Sequence, residues 1–196
     1  MVKATTNTEL TVPRLKALYK DVIVKELKDE LKLANVHQAP RITKVVISSG
    51  TGKKRDDKRY YEAVKNTLTR ITGQMPIDRA SKKSVASFKV RAGMSRAGLS
   101  VTLRDARMYE FLDRLINIAL PRVRDFRGIS AKAFDKSGNL NIGITEHSIF
   151  PELTFEETQV SHGLQITVVI TGGNAEYSRV LLEKLGVPFE RQGGNR

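Results

Sequence analysis

The sequence predicts an α+β fold, a single domain in which helices pack against an antiparallel sheet. Three observations point there. Apolar residues alternate with polar ones at Leu99, Val101 and Leu103, and again at Leu164, Ile166, Val168 and Ile170, the period of half-buried strands. Elsewhere the apolar residues follow helical spacing, as in Tyr60, Val64, Leu68 and Ile71. Strands and helices mix along 196 residues, a length that suits one domain, with no internal repeat and no clear linker.

Taken in order, residues 1–10 are polar and predict a flexible tail, followed by a domain over 11–189 and a second tail over 190–196. Thr11 is a candidate N-cap with Pro13 in the first turn, and Leu15, Leu18, Tyr19 and Val22 form a helical stripe that Leu27 and Leu31 extend. Residues 42–49 read as a strand with Thr43, Val45 and Ile47 on one face. A glycine turn, Gly50-Thr51-Gly52, leads to the second helix, which Gly73 stops. Residues 85–90 and 99–103 read as strands joined by a flexible connection. Asp105 is a candidate cap for a helix with the stripe Met108, Phe111, Leu112, Leu115, Ile116 and Ala119, ended by Pro121. A long irregular stretch marked by Gly128, Gly138 and Gly143 precedes the strand at 164–170. Asn174 is a candidate cap of the last helix, which Gly186 and Pro188 close.

The charge narrows the function. A net charge of +13 and a pI of about 10.1 point to a polyanion: RNA, DNA or an anionic membrane surface. A membrane-surface helix needs its cations opposite a strong apolar face, whereas the densest basic segment here is rich in Gly and Ser. No apolar stretch approaches the length of a membrane span. The absence of cysteine excludes disulfides, thiolate metal sites and cysteine nucleophiles and is compatible with a reducing cytoplasm.

Three segments are candidates for contact. Residues 79–96 carry Arg79, Lys82, Lys83, Lys89, Arg91 and Arg96 with no acid, and Ser81, Ser84, Ser87 and Ser95 add hydrogen-bonding groups suited to phosphate and ribose. RNA contact is the sharper reading, a solvated basic loop the plainer one. The second segment holds Arg122, Arg124 and Arg127, whose planar forks suit phosphate; Phe126 beside them is more simply a core residue than a base-stacking one. The third, 135–160, is acidic: Asp135, Glu146, Glu152, Glu156 and Glu157 stand against Lys136 alone. It suits solvent or a basic protein, not a phosphate backbone.

Ser49-Gly50-Thr51-Gly52-Lys53 invites a phosphate-loop reading, but Ile47 and Lys54 occupy places where the full motif needs Gly and Ser or Thr. His37, His147 and His162 lack ligand spacing. No cofactor, no metal and no catalytic residue is expected, and the chain lacks the aromatic-rich strand of the common single-strand RNA module.

The run Leu120-Pro121-Arg122-Val123-Arg124-Asp125-Phe126-Arg127-Gly128-Ile129-Ser130 closely resembles the signature of the bacterial ribosomal protein L-five family. The resemblance continues through Lys132-Ala133-Phe134-Asp135, Gly138-Asn139 and Ile149-Phe150-Pro151-Glu152. Upstream it takes in Lys83-Ser84-Val85-Ala86-Ser87-Phe88-Lys89-Val90-Arg91, Val101-Thr102-Leu103-Arg104 and Arg107-Met108-Tyr109-Glu110-Phe111-Leu112. The chain departs from the family at Ser48, where Asn is usual, at Ser81 and Met94-Ser95-Arg96-Ala97-Gly98, each longer by one residue, and at Lys136 and His147 in place of Gly and Gln.

The resemblance implies an antiparallel sheet with helices packed on one side, a compact domain with a protruding basic loop, and a place in the cytoplasmic ribosome. It implies binding to 5S ribosomal RNA beside 23S ribosomal RNA in the central protuberance, and here Ser48, Gly50, Gly52, Lys53, Arg122, Arg124 and Arg127 are the candidates. The family's protruding loop touches the elbow of the peptidyl-site transfer RNA, a role that falls to the six cations of 79–96. The family also bridges to the small-subunit head through ribosomal protein S-thirteen, for which Glu146, Glu156 and Glu157 are the candidates; neighbouring large-subunit proteins are further partners. The alternatives are a free-standing RNA-binding factor or chaperone and a phosphate-handling enzyme using the glycine turn.

Overall fold

The computed structural model describes residues 12–54, 57–88, 90–124, 126–172 and 174–190, without the side chains of Lys53 and Phe88. Thr11 and both expected tails, apart from Glu190, lie outside the described residues, and so does Lys89.

The chain opens with α1 (Arg14–Leu18), which passes through a π turn at Tyr19–Ile23 straight into α2 (Val24–Glu30). The π turn takes one more residue than an α turn, so the buried stripe shifts by one position. Leu15, Ile23 and Leu27 are buried, while Leu18 and Val22, expected on that stripe, are exposed. Strand β1 (Arg41–Gly50) follows. Its pairing slips between Ile42 and Lys44, a bulge that turns Thr43 away from the buried face and puts Ile42 there with Val45, Ile47 and Ser49. Thr43 instead donates its hydroxyl to the Val169 carbonyl at 3.0 Å.

Helix α3 (Lys58–Thr72) starts where the Asp57 carboxylate accepts the Arg59 and Tyr60 N–H groups and stops at Gly73, whose φ of 65° is left-handed. A short strand not evident from sequence, β2 (Ile77–Arg79), pairs with β3 (Gly98–Leu103). Residues 85–90 do not form the expected strand. They make an isolated antiparallel bridge, Val85 to Val90, closed by a 3-10 turn at Ala86–Phe88; Val85 is exposed and has no sheet to pack on.

Helix α4 (Asp105–Arg114) runs on through a π turn at Leu115–Ala119 to a 3-10 turn at Leu120–Arg122 that contains Pro121. Asp105 is not its cap but its first residue, where a carboxylate favours the positive end of the helix dipole. The supposedly irregular stretch holds β4 (Leu140–Ile144) and α5 (Phe155–Thr158), the latter opened by a capping box between Thr154 and Glu157. Strand β5 (Leu164–Thr171) and α6 (Ala175–Lys184), capped by Asn174, complete the fold.

The five strands form one antiparallel sheet in the order β2-β3-β1-β5-β4. On one face Val45, Ile47, Leu99, Val101, Ile166 and Val168 are buried, together with Val64, Leu68 and Ile71 of α3, Met108, Phe111 and Leu112 of α4, and Leu181 and Leu182 of α6. The class is α+β, with the helices on one side of the sheet. No helix among the described residues is long and apolar enough to cross a membrane.

Candidate nucleic-acid interface

A strand presents alternate residues to opposite faces, so the buried set defines the open one. Register places Ser48 opposite Ser100 on β3 and Gln165 on β5, and Gln165 opposite Gly143 on β4. Val46 pairs with Thr102 and Thr167, and Thr167 donates its hydroxyl to the Asn141 side chain at 2.7 Å. Lys44 and Arg79 bring cations to this face. Arg79 Nε donates to Ser100 Oγ at 2.7 Å, which places the guanidinium on the sheet and not in the protruding loop where the sequence reading put it. Small polar residues, cations and peptide backbone, with Val46, Val169 and Ile77 among them, thus make up a surface that no helix among the described residues covers.

At one end of this face Ser48, Gly50, Gly143, Gly163 and Gln165 line a concavity with Ile144 and Thr145. Gly50 is the last residue of β1 and lacks a positive φ, and a Cβ there would meet nothing within 4 Å. The glycine is therefore not needed for a left-handed turn; what it leaves is bare backbone. The turn itself is held by Thr51, whose N–H donates to the Ala97 carbonyl at 3.2 Å and whose hydroxyl donates to the Arg96 carbonyl at 2.8 Å. Gly52 begins a 3-10 turn, and the side chain of Lys53 lies outside the described residues. The first N–H groups of α3 are taken by Asp57, so this helix start offers no free cradle to a phosphate.

The arginine segment adjoins the concavity. Arg122 and Arg124 line a cleft with Ile144, Thr145 and Glu146, sharing the first two of these with the glycine-lined hollow. Arg122, Arg124 and Arg127 are exposed, and Phe126 packs partly against the core. Register thus brings Ser48 and Gly50 within one connected surface with Arg122 and Arg124, although more than 70 positions separate them in sequence.

The protruding loop is more ordered than a flexible connection. Ser81 exchanges two backbone bonds across it, to Met94 at 3.0 Å and from Gly93 at 2.9 Å, and Ala92 N–H donates to Ser84 Oγ at 2.8 Å. Lys82, Lys83 and Arg91 are exposed on it. Arg96 sits at its root, at a φ of 60°, with its N–H on the Asp78 carboxylate and its guanidinium over Tyr61 at 5.4 Å.

The acidic residues divide. Glu156 is exposed beside Phe155, which is 81% exposed. Glu157 accepts from Thr154 N–H and hydroxyl and pairs with Arg70 at 3.0 Å; the backbone bond first, and the cation last, hold its carboxyl below the usual range. Glu146 lies apart from both, in the arginine cleft. Behind them His147 and His162 stack at 4.0 Å, and burial pushes His162 down to about 4. Among the described residues no three side chains of metal-ligating type converge.

Lys44, Ser100, Gln165 and Asn141 lie on this candidate face and do not stand out by residue type. The signal was available only as the polar half of each period-two run.

An open, polar, cation-bearing sheet face joined to exposed arginines, on a chain of net charge +13, defines a basic protein built to hold a polyanion. Comparison with known proteins makes this specific. Residues 35–91 match the family described as ribosomal protein L5, and residues 96–189 match the C-terminus of that ribosomal family. The large ribosomal subunit protein uL5 of Pelagibacter ubique is 50% identical over 184 residues, 94% of this chain and 100% of that relative. Its counterpart from a Synechococcus strain is 48% identical, over 90% of this chain and 97% of the relative, and that of Ureaplasma parvum is 46% identical, over 93% and 98%. The chain belongs to the ribosomal protein L5 family, whose members are structural components of the ribosome and not enzymes.

Proposed function

We propose that the chain is a structural constituent of the large ribosomal subunit that binds 5S ribosomal RNA, with neighbouring 23S ribosomal RNA, through the open sheet face and the arginine segment. The observation that carries this is the continuity of the two: Ser48, Gly50 and Gln165 share a rim at Ile144 and Thr145 with Arg122 and Arg124. Bare backbone at Gly50 and Gly143 admits a sugar-phosphate chain closely, and the arginines neutralise it. Residues 11–189 would act as one RNA-binding domain. The protruding loop, with Lys82, Lys83 and Arg91, reaches the peptidyl-site transfer RNA. The surface around Glu156 meets a basic protein of the small-subunit head, S-thirteen. The test is Ser48→Glu, which sets a carboxylate in the concavity of the face without touching the core. It should reduce 5S RNA affinity at least about tenfold and remove the protein from large subunits sedimented in moderate salt. Parent affinity in this variant would put the RNA elsewhere on the molecule.

A further inference from the structure

The loop bearing Arg122, Arg124 and Arg127 is tied at its two ends by different means. Its start follows α4, where Leu120 is buried. Its end is tied to the last described residues of the chain. Ile129 N–H donates to the Pro188 carbonyl at 2.9 Å, and Glu190 N–H donates to the Ile129 carbonyl at 3.0 Å, a parallel bridge of Ile129 with Phe189. Gly128 permits this approach. Its φ is +107°, and a Cβ there would stand 2.5 Å from the Glu190 nitrogen and 2.6 Å from the Phe189 carbonyl carbon. Phe189 is fixed in turn by its ring, which stacks on Phe134 at 5.8 Å under the Arg179 guanidinium at 5.7 Å.

Core packing accounts for only part of this. Val187 is buried, but Phe189 is half-buried and Glu190 exposed, and α6 is already closed at Gly186. Beyond Val187 the segment commits its backbone hydrogen bonds to one neighbour, the residue that ends the arginine loop.

We propose that Phe189 is a positioning residue for RNA binding: by clamping 128–129 it holds Arg127 beside the clamp itself, and Arg122 and Arg124 beside Ile144 and Thr145, before RNA arrives. Long side chains on a loop that is ordered only on binding lose affinity to that ordering; a loop held in advance does not. The clamp rests on the reading of these arginines as RNA contacts.

The test titrates the full chain with 5S ribosomal RNA at several KCl concentrations, at a temperature where every variant is shown to be folded. Phe189→Ala should weaken binding roughly fivefold at each concentration and leave the slope of log affinity against log salt unchanged, because no charge is removed. Phe189→Tyr should bind as the parent does. Arg122→Ala with Arg127→Ala should flatten the slope by about 2. Adding Phe189→Ala to that pair should weaken binding little further, since the clamp then positions one arginine and not three. Arg179→Gln removes the cation over the ring, together with a surface i,i+4 pair with Glu183, and serves where Phe189→Ala leaves too little folded protein; it should weaken binding about twofold. Parent affinity in folded Phe189→Ala, or in Arg179→Gln if that variant is needed, overturns the clamp, as does equal weakening in both arginine backgrounds. An unchanged slope and affinity in the double-arginine variant, with Ser48→Glu still impaired, would overturn the assignment of these arginines to RNA, and the clamp's role with it.

Discussion

Arg79 lies across the open sheet face with its Nε bonded to Ser100 Oγ at 2.7 Å, on the strand position that pairs with Ser48. A serine thereby fixes the direction of a guanidinium that would otherwise wave from an exposed edge strand. Ser100→Ala should fold normally, because the site is buried and alanine fits it, but should weaken 5S RNA binding about threefold to tenfold. Arg79→Lys should not restore a lost arginine, since an ammonium cannot present the planar fork. Binding titrations with thermal melts as the folding control decide this; parent affinity in Ser100→Ala would show that the bond has no part in binding.

Affinity should fall steeply with salt. If Lys44, Arg79, Arg122, Arg124 and Arg127 neutralise about five phosphates, log affinity against log salt should slope between about −3.5 and −4.5, the single-strand and duplex limits. A slope near zero removes the electrostatic mechanism.

Lys82 and Lys83 are exposed on the hydrogen-bonded loop and are not among the residues proposed to hold 5S RNA. Replacing both by Ala should leave gradient profiles of assembled large subunits unchanged. Transfer RNA should dissociate from the peptidyl site up to about fivefold faster per lost contact. Failed assembly with normal transfer RNA dissociation would move the loop into the 5S site.

Glu156 and Glu157 are not equivalent, although they are neighbours in sequence. Glu156→Lys should weaken subunit association and spare 5S RNA binding and stability. Glu157→Lys should cost about 1 kcal/mol of stability, because it breaks the capping box and the pair with Arg70. Urea unfolding separates them; equal stabilities would deny Glu157 its structural part.

His162 is buried against His147 with its Nδ1 on the Val160 carbonyl, and desolvation first, then His147, press its pKa down to about 4. The folded state therefore binds this proton less readily than the unfolded chain, whose histidine titrates near 6.5. Stability from this group is fully present above pH 6.5 and is lost as pH falls towards 4, up to about 3 kcal/mol over that window. Urea midpoints at pH 7.5 and pH 5.0 should differ in the parent and converge in His162→Gln. An unaltered pH difference in that variant would assign the effect to other groups.

Much of the fold was legible in the order of residues. The alternation at 164–170, the stripe of α3, its stop at Gly73 and the N-cap at Asn174 are local properties, and local physics decides them. The strand β4 escaped notice because Asn141 and Gly143 are poor strand formers; pairing with β5 overrides their preference. Two π turns and the bulge at Thr43 each shift a register by one residue, which no periodicity count anticipates. For the candidate site, residue types at Arg122, Arg124 and Arg127 drew attention by themselves. Ser100 and Gln165 did not, because their meaning lies in which residue faces them across the sheet, and that is set by chain segments far away.

The central place of β1 between β3 and β5 has a consequence for how the protein comes into being. Ser48 gains Ser100 beside it after about fifty further residues are made, but Gln165 only when the chain has reached its last strand. Closing loops of that span makes such pairing slow, and it cannot begin on a partial chain. During synthesis β1 waits with one side unpaired, exposed to the wrong neighbours as well as the right one. The surface offered to RNA is thus among the last things the chain completes, which ties recognition to finished translation of the recogniser.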